Sequence, residues 1–528
     1  MGKTSATGVF QLLVGVATSI IIMAVGTIIL GRLLTPDEYG LYGIVLIPST
    51  MINLFRDWGV NSAITRYVAS LRASRKEEEI HDFIVAGLIF EVASGIALSF
   101  LSLFLANFIA SAIFHRPESA SYIAIISVSI IAGSLLAASQ SSFVGFERMK
   151  LNSFTLICQA VVKTVVGPVL VFLGYSVLGA VIGYTMSFIA AAIIGLVIFY
   201  VTLLRPLRKK RTKDSNITRT LKTMLEYGVP LSIGSILAGI LTQIYAFLIV
   251  PFASNAMYGD YIVAGNFAVV LTSFTTTLTT VLLPAFAKID PQNEHELVKN
   301  VFASSIKYTS ILVVPATMVL MALSGPMIGT LYGEKYVYGP FFLTISVAGT
   351  LLAVLGSLTV SSFLSGLGET GMLMKQNILT IIVGLPLGLL LIPTLEITGL
   401  IIASIFAMAI GDFWMLYWIW KHYKATTDFQ SSVKILVASA IAAFASYLPT
   451  VFLNTTNWIK LIIGLVIFLT VYVLGAPIVG AVSLTDISNL RTMLSGMGAA
   501  SKLINLPLNV AEKVLRIKSA SKGVSDKR

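Results

Sequence analysis

The sequence predicts an all-α polytopic membrane protein, and three observations support this fold class. Of the 528 residues, 56% are hydrophobic and only 11% are charged, and the mean hydropathy is +0.90. Apolar runs of about 20 residues, the length that a helix needs to cross a bilayer, recur along nearly the whole chain. The runs are continuous, whereas a transmembrane β-barrel would show alternating segments of about 10 residues. Little sequence therefore remains for soluble domains.

Charged residues, proline and glycine divide the apolar sequence into about fourteen predicted transmembrane helices. The predicted helices span residues 8–30, 41–68, 82–113, 120–145, 152–174, 177–203, 226–252, 257–286, 306–331, 339–366, 371–393, 396–420, 432–453 and 457–482.

Lysine and arginine concentrate in alternate loops, which predicts the orientation of the chain because cytoplasmic loops are the basic ones. With both termini in the cytoplasm, the cytoplasmic loops carry Arg72, Arg75, Lys76, Arg148, Lys150, the run RPLRKKRTK at 205–213, Lys288, Lys299, Lys421 and Lys424. The opposite loops carry Arg32, Arg116 and Lys335. The net charge of +12 therefore indicates a multi-pass protein of the cell membrane that adheres to anionic lipid, with no nucleic-acid partner. We expect a monomer.

Three sequence matches at nearly one offset indicate an internal repeat. Tyr39-Gly40 and Tyr42 return as Tyr258-Gly259 and Tyr261, and SSF at 141–143 returns at 361–363. Gly179 returns as Gly399. The first match has an offset of 219 in the numbering and the other two have an offset of 220. The offset spans six predicted helices, an even number, so the two copies share one orientation and are related by a pseudo-two-fold axis along the membrane normal.

The repeat predicts two six-helix lobes with two additional helices. The predicted divisions are an N-lobe at 1–204, a basic cytoplasmic linker at 205–222, a C-lobe at 223–424, helices thirteen and fourteen at 425–483 and a basic cytoplasmic tail at 484–528. Two matched lobes around a midplane cavity suit alternating access by rocking. For the tail, a short amphipathic helix on the inner membrane face and a frayed solvated segment are both open.

The stretch GRLLTPDEYGLYGIVLIPSTMINLFRDWGVNSAITRYVA at 31–69 resembles the opening of polysaccharide-biosynthesis transporters. These are Wzx-type oligosaccharide-lipid flippases of the multidrug/oligosaccharidyl-lipid/polysaccharide exporter superfamily. The resemblance implies that a lipid-linked oligosaccharide, carried on polyprenyl or dolichyl phosphate or pyrophosphate, is turned from the cytoplasmic to the outer leaflet. It further implies that the last two helices form a groove for the lipid tail.

The segment NLFRDWGVN places Arg56 and Asp57 about 22 Å along the second predicted helix, near mid-depth in the membrane. In a continuous helix Asn53, Asp57 and Asn61 would form one polar stripe. Charge at the bilayer centre costs about 2.5 to 3.5 kcal/mol, so such residues are candidates for function or for pairing.

Glu91 and Lys163, on the third and fifth predicted helices, are the nearest candidate partners in depth. In one interpretation Arg56 and Lys163 bind the phosphate of the cargo. In the other, Arg56 pairs with Glu91 and Asp57 with Lys163, or the reverse, and the pairs hold helices together. Asp57, Glu91 and Asp412 are also candidates for coupling transport to H⁺ or Na⁺, and no other cofactor is expected.

The repeat maps the polar stripe onto a neutral one in the second lobe, where Thr272 and Thr276 replace Asn53 and Asp57. A hydroxyl-rich wall suits sugar contacts, although threonine-rich helices also serve as packing surfaces. Gln243 and Tyr245 are further candidate sugar contacts. With Arg56, Lys163, Asn53 and Asn61, these residues complete the predicted head-group site.

Two other classes of function compete with the flippase. A cation-coupled multidrug or small-molecule antiporter would use Asp57 or Glu91 to bind drug and ion in turn. A membrane glycan polymerase needs a large external loop, and all predicted external loops are short. The lone Cys158 gives no metal cluster, and no nucleotide-binding loop is present, so we expect a transporter that is neither an enzyme nor an ATPase.

Overall fold

The computed structural model describes residues 2–208, 216–291, 293–494 and 505–517, and in these ranges the protein is helical with no β-strand. Nine helices in the described ranges are long and apolar enough to cross a membrane, or up to ten if one bent pair is a single span. Two of the nine, Met149–Leu207 and Thr370–Tyr423, are 59 and 54 residues long and contain internal breaks. The all-α membrane fold is confirmed, and the number fourteen stays a prediction.

The chain divides into two compact units, Met1–Gly259 and Asp260–Arg528. The first unit holds helices α1 (Gly2–Leu33), α2 (Pro36–Leu54), α3 (Val60–Ala73), α4 (Glu77–Phe108), α5 (Ala120–Gly145), α6 (Met149–Leu170), α7 (Ser176–Phe199), α8 (Arg205–Arg208) and α9 (Ile217–Ile249). Most of the basic run at 205–213 lies outside the described residues.

Helix α10 (Asn255–Ala287) begins in the first unit and continues into the second. The second unit then holds α11 (His295–Ala322), α12 (Ser324–Leu331), α13 (Gly339–Ala348), α14 (Ser357–Gly366), α15 (Thr370–Tyr423), α16 (Phe429–Phe452), α17 (Asn457–Val479) and α18 (Leu484–Leu494).

The second predicted helix is not continuous, which corrects the sequence prediction. Helix α2 ends at Leu54, Trp58 (φ 47°) and Gly59 (φ 75°) adopt left-handed backbone conformations, and α3 begins at Val60. Left-handed residues end a helix, and glycine does so at no steric cost. The predicted stripe of Asn53, Asp57 and Asn61 on one helix face therefore does not exist, because the break lies between its members.

Two further predicted helices are interrupted. The span 306–331 breaks at Leu323 between α11 and α12, and 339–366 bends by 55° where Gly356 (φ 106°) separates α13 from α14. By contrast, α10 runs through the positions that the repeat equates with Arg56 and Asp57. The break at NLFRDWGVN thus belongs to one repeat only.

The repeat is visible in the local backbone. Ser176 (φ 47°, ψ −131°) ends the link between α6 and α7, and Glu396 (φ 52°, ψ −128°) interrupts α15 at the equivalent position of the second copy. The predicted division of α15 into two helices near residue 396 agrees with this kink. Thr35 and Ser254, which the repeat also equates, accept a hydrogen bond in the same way, from the backbone N–H groups of Glu38 and Met257 at 3.2 Å each.

Helix α9 follows the predicted linker, yet it packs within the first unit against α2, α3 and α4. Its Gly228 meets the α2–α3 break in backbone contact, since a Cβ at Gly59 would lie 2.3 Å from the Gly228 carbonyl oxygen. Near the far end of α9, the Arg116 guanidinium donates to the carbonyls of Val250 and Ala253 at 2.6 and 2.8 Å. Helix α9 is thereby held to the rest of the first unit at Gly228 and at its C-terminal end.

Residues 505–517 form a helix that packs within the second unit. Ala511 is buried in a core cluster shared with α11, α16, α17 and α18, and Glu512 bridges Arg491 and Arg516 at 3.0 and 2.7 Å. These two guanidinium groups hold the pKa of Glu512 below its usual value. Of the two alternatives for the tail, this segment takes the helical one, and residues 495–504 and 518–528 lie outside the described ranges.

Candidate functional site

The break between α2 and α3 presents Arg56 to the interior of the first unit. Its Nη1 donates to Asn53 Oδ1 at 3.1 Å, and a Cβ at Gly133 on α5 would lie 2.9 Å from the same nitrogen. The Phe188 ring of α7 borders Gly133 as well. Arg56 therefore lies where α2, α5 and α7 converge, with 15% of its side chain exposed.

Glu91 on α4 is completely buried, at 0% exposure, beside Arg56. Arg56 Nε lies 3.7 Å from Glu91 Oε2, within ion-pair range but too far for a hydrogen bond. Both atoms are buried without a hydrogen-bond partner among the described residues. The other carboxylate oxygen accepts from Asn61 Nδ2 at 2.7 Å. The pair is thus held together by charge, with hydrogen-bonding capacity left on both sides.

Asp57 caps the N-terminal end of α3. Its Oδ1 accepts from the Asn61 backbone N–H at 2.8 Å, and its carbonyl accepts from Val60 N–H at 3.0 Å. These bonds satisfy N–H groups that the first turn of a helix otherwise leaves unpaired. Asp57 also interacts electrostatically with Glu91, so three charged groups form one cluster.

We expect Asp57→Asn to leave the fold nearly as stable as the wild type, because the amide oxygen can still accept from Asn61 N–H. Asp57→Ala removes that acceptor and is expected to lower the free energy of unfolding by about 0.5 to 2 kcal/mol. Thermal unfolding of the purified variants measures the difference. Equal losses in both variants would show that the charge of Asp57 matters for stability, not its capping oxygen.

Lys163 lies on α6 away from this cluster. Its ammonium nitrogen lies 5.3 Å from the centroid of the Tyr184 ring of α7, and no carboxylate lies within 4 Å of it in the described part of the chain. A cation over an aromatic ring gains about 0.5 to 2 kcal/mol, less than the 2.5 to 3.5 kcal/mol cost of charge at mid-membrane. The contact with Tyr184 therefore offsets only part of the free-energy cost of placing the Lys163 charge in the membrane.

One of the ion pairs predicted from the sequence is present, between Arg56 and Glu91. Asp57 and Lys163 do not pair with each other, and the crossed pairs are not formed either. Asn61, predicted to bind the head group, instead donates to Glu91 and accepts from the Ser141 hydroxyl at 3.2 Å. The head-group site as a whole stays a prediction, and Asn61 is already engaged within the cluster.

The remaining predicted residues lie in both units. In the first, Gln243 Oε1 accepts from the Thr50 hydroxyl at 3.1 Å, and Tyr245 is buried at 2% exposure. In the second, Thr272 and Thr276 are exposed on α10 and donate to carbonyls of their own helix, at 3.0 Å each. Asp412 accepts from Gln376 Nε2 at 2.8 Å across the two arms of α15.

Two residues of the first unit were not predicted as site residues, Tyr42 and Tyr184. Tyr42 is 7% exposed on α2, and α2 packs against α7, which carries Tyr184. A signal for both is present in the sequence, since each lies in a segment that the repeat duplicates, YGLYG and LGAVIGYTMSF. No group of three or more His, Cys, Asp or Glu residues that could hold a metal occurs within the described residues.

Comparison with known proteins places this arrangement in a family. The family described as polysaccharide biosynthesis protein matches residues 29–338, more than half of the chain and nearly all of the first unit. The chain belongs to this family. Its apolar helices, which are long enough to cross a membrane, make it an integral membrane protein.

A curated relative is the probable low-salt glycan biosynthesis flippase Agl15 of Haloferax volcanii, 20% identical over 221 residues. That match covers 42% of this chain and 47% of the relative, so this member of the polysaccharide biosynthesis family matches about half of the relative's length.

Solved structures give the fold. The lipid II flippase MurJ in an inward closed conformation superposes with a TM-score of 0.70 at 17% identity, over 88% of this chain and 98% of that one. An inward-facing MATE-family multidrug resistance transporter of the MOP superfamily gives 0.58 at 16% identity, over 79% and 99%. The named relatives are flippases and transporters, and none is named as an enzyme.

Proposed function

We propose that this protein is a flippase that moves a lipid-linked oligosaccharide from the cytoplasmic to the outer leaflet of the cell membrane by alternating access. Membership of the polysaccharide biosynthesis family and the glycan flippase among its relatives support this function. The cargo is a glycan on polyprenyl or dolichyl phosphate or pyrophosphate, and it serves surface polysaccharide or glycoprotein assembly. Both chain termini face the cytoplasm, and the protein acts as a monomer.

One observation in the first unit favours an anionic cargo. The carboxylates beside Arg56 are engaged, since the buried Glu91 binds Arg56 and Asn61, while the partly buried Asp57 caps α3. Its cations retain capacity, because Lys163 has no carboxylate within 4 Å among the described residues and Arg56 Nε has no hydrogen-bond partner there. A site with free donors and occupied acceptors attracts phosphate and repels a second cation.

In this proposal Arg56 and Lys163 hold the phosphate groups, with Asn53 placing the Arg56 guanidinium. Gln243, Tyr245, Thr272 and Thr276 are candidate contacts for sugar hydroxyls. Asp57, Glu91 and Asp412 are the candidate groups for coupling to H⁺ or Na⁺.

The alternative is a cation-coupled multidrug antiporter, which the likeness to a MATE-family transporter favours. A cationic drug would need an accessible carboxylate. In the described part of the second unit, Asp412 is an intramembrane candidate, since its described partner is the neutral amide of Gln376.

Deletion of the gene tests the proposal. We expect lipid-linked glycan to accumulate on the cytoplasmic side, surface glycan to fall, and both changes to reverse when the gene is restored. Mass spectrometry of the lipid extract with glycan staining of the cell surface measures this. Unchanged glycans together with lost ion-dependent drug efflux would support the antiporter instead.

A further inference from the structure

The environment of Lys163 is built by a close contact between α6 and α7. A Cβ at Gly183 would lie 2.3 Å from Gly167 Cα, so the two backbones touch at this point. Lys163 lies one turn before Gly167, on the same side of α6, and Tyr184 follows Gly183. The contact therefore directs the Lys163 side chain over the Tyr184 ring.

The opposite face of α6 is the lipid-facing one. Val161, Val165 and Val169, spaced four residues apart, are 42%, 52% and 50% exposed. Lys163 is two residues from Val161 and from Val165, which is about 200° around the helix from each. Its side chain therefore points into the bundle.

Lys163 and Tyr184 both carry hydrogen-bond donors, and so does Tyr42 on the neighbouring helix α2. An ammonium carries three N–H donors and no acceptor, and each tyrosine hydroxyl carries one donor and can also accept. Neither the Lys163 ammonium nor the hydroxyls of Tyr42 and Tyr184 has a hydrogen-bond partner among the described residues. A cluster of donors around one positive charge, without a carboxylate, fits a phosphate group.

This cluster is separate from Arg56. Phe188, which borders Gly133 together with Arg56, lies one helical turn from Tyr184 on α7, and the two rings are 5.2 Å apart. Tyr184 is about 12 Å and Phe188 about 18 Å from the Ser176 end of α7, at 1.5 Å per residue. In the proposed orientation that end is external, so Lys163 lies outward of Arg56.

We propose that Lys163 and Tyr184, with Tyr42 from the neighbouring helix α2, form a second anion-binding subsite, outward of Arg56, for the phosphate of a polyprenyl carrier. The proposal rests on the proposed flippase function. Arg56, whose charge Glu91 already balances, and the unbalanced Lys163 then form two successive positions for one anionic head group along α7. The Tyr184 and Phe188 rings line the path between them.

Binding of decaprenyl diphosphate to the full-length protein in nanodiscs tests the subsite. We expect Lys163→Gln to weaken binding at least about tenfold, as for loss of one charge-assisted hydrogen bond, and Lys163→Arg to stay near the wild type. Tyr184→Phe and Tyr42→Phe are each expected to cause a smaller loss. Lys150→Gln, on the exposed cytoplasmic end of the same helix, is the matched control and should bind normally.

Unchanged binding by Lys163→Gln, or no binding by the wild type, would overturn the subsite. If Lys163→Gln does not fold, the two tyrosine variants decide, and normal binding by both would overturn it. Inorganic diphosphate and decaprenol distinguish the source of the phosphate, and inorganic diphosphate binding as tightly as the lipid would overturn the lipid carrier as ligand. The gene-deletion experiment and the binding experiment can have different outcomes, because deletion can leave glycan export unaffected while the subsite still binds the diphosphate.

Discussion

Arg56→Gln is expected to destabilise the protein by about 3 to 5 kcal/mol, because it leaves the fully buried Glu91 without its counter-charge. The nearby Asp57 makes this worse, since the partly buried Asp57 carboxylate and the fully buried Glu91 carboxylate then repel each other without the Arg56 charge. Glu91→Gln, which leaves Arg56 partly buried and unpaired, is expected to cost less because 15% of the Arg56 side chain is exposed. The double variant Arg56→Gln with Glu91→Gln should recover most of the lost stability. Thermal unfolding of the three variants gives the coupling between the two sites.

The same double variant separates a structural from a transport role of Arg56. If Arg56 binds the head group, the double variant folds and does not restore glycan export in the deletion strain. Arg66→Gln is the matched control, since Arg66 lies on the exposed side of α3, stacked on the Tyr227 ring at 4.2 Å. It is expected to stay within about 1 kcal/mol of the wild type and to export normally. Export by the double variant at the wild-type level would assign Arg56 to helix packing alone.

Gly183→Ala is the second large effect we expect, a loss of about 3 kcal/mol, at the upper end of the usual cost of overpacking. The new methyl group would meet Gly167 Cα at 2.3 Å and its nitrogen at 2.4 Å, and these are backbone atoms that no side-chain rotation can move away. The helices α6 and α7 must separate, which also lifts Lys163 from the Tyr184 ring. Tm and folded yield in detergent measure the loss.

Gly195→Ala on the same helix is the control for this prediction. A Cβ at Gly195 would find its nearest neighbour, the Leu136 side chain, at 3.5 Å, an ordinary contact distance. We expect the free energy of unfolding to be unchanged or slightly raised, because alanine is the better helix former. Equal destabilisation by both substitutions would show that the contact between Gly167 and Gly183 has no special role.

The sequence was sufficient for the fold class and for the repeat. Continuous apolar runs indicate membrane helices through composition alone, and the offset of the repeat reappears in the matching conformations of Ser176 and Glu396. The sequence was also sufficient to select Arg56, Asp57 and Glu91 as candidate functional residues, and these three residues meet in one cluster.

The break at Trp58 and Gly59 was not predictable from periodicity, because hydropathy continues through it. Pairing was not predictable either. Which cation reaches Glu91 depends on how α4, α5 and α7 pack around the break. Counting residues along a helix gives the depth of a side chain in the membrane, but it does not say which neighbouring helix that side chain faces. Tyr42 and Tyr184 were missed because an aromatic residue in a membrane helix is ordinarily a packing residue. The position of Lys163 over the Tyr184 ring distinguishes Tyr184, and the packing of α2 on α7 adds Tyr42.

Translocation in sealed proteoliposomes tests the central claim most directly. A polyprenyl diphosphate that carries one fluorescent sugar is placed in both leaflets, and a membrane-impermeant reductant is added outside. With the wild-type protein we predict that nearly the whole fluorescent pool is reduced, and that Lys163→Gln limits reduction to the outer-leaflet share found without protein. Reduction of only the outer-leaflet share by the wild type, in vesicles that exchange a fluorescent organic cation against an ion gradient, would contradict the flippase account.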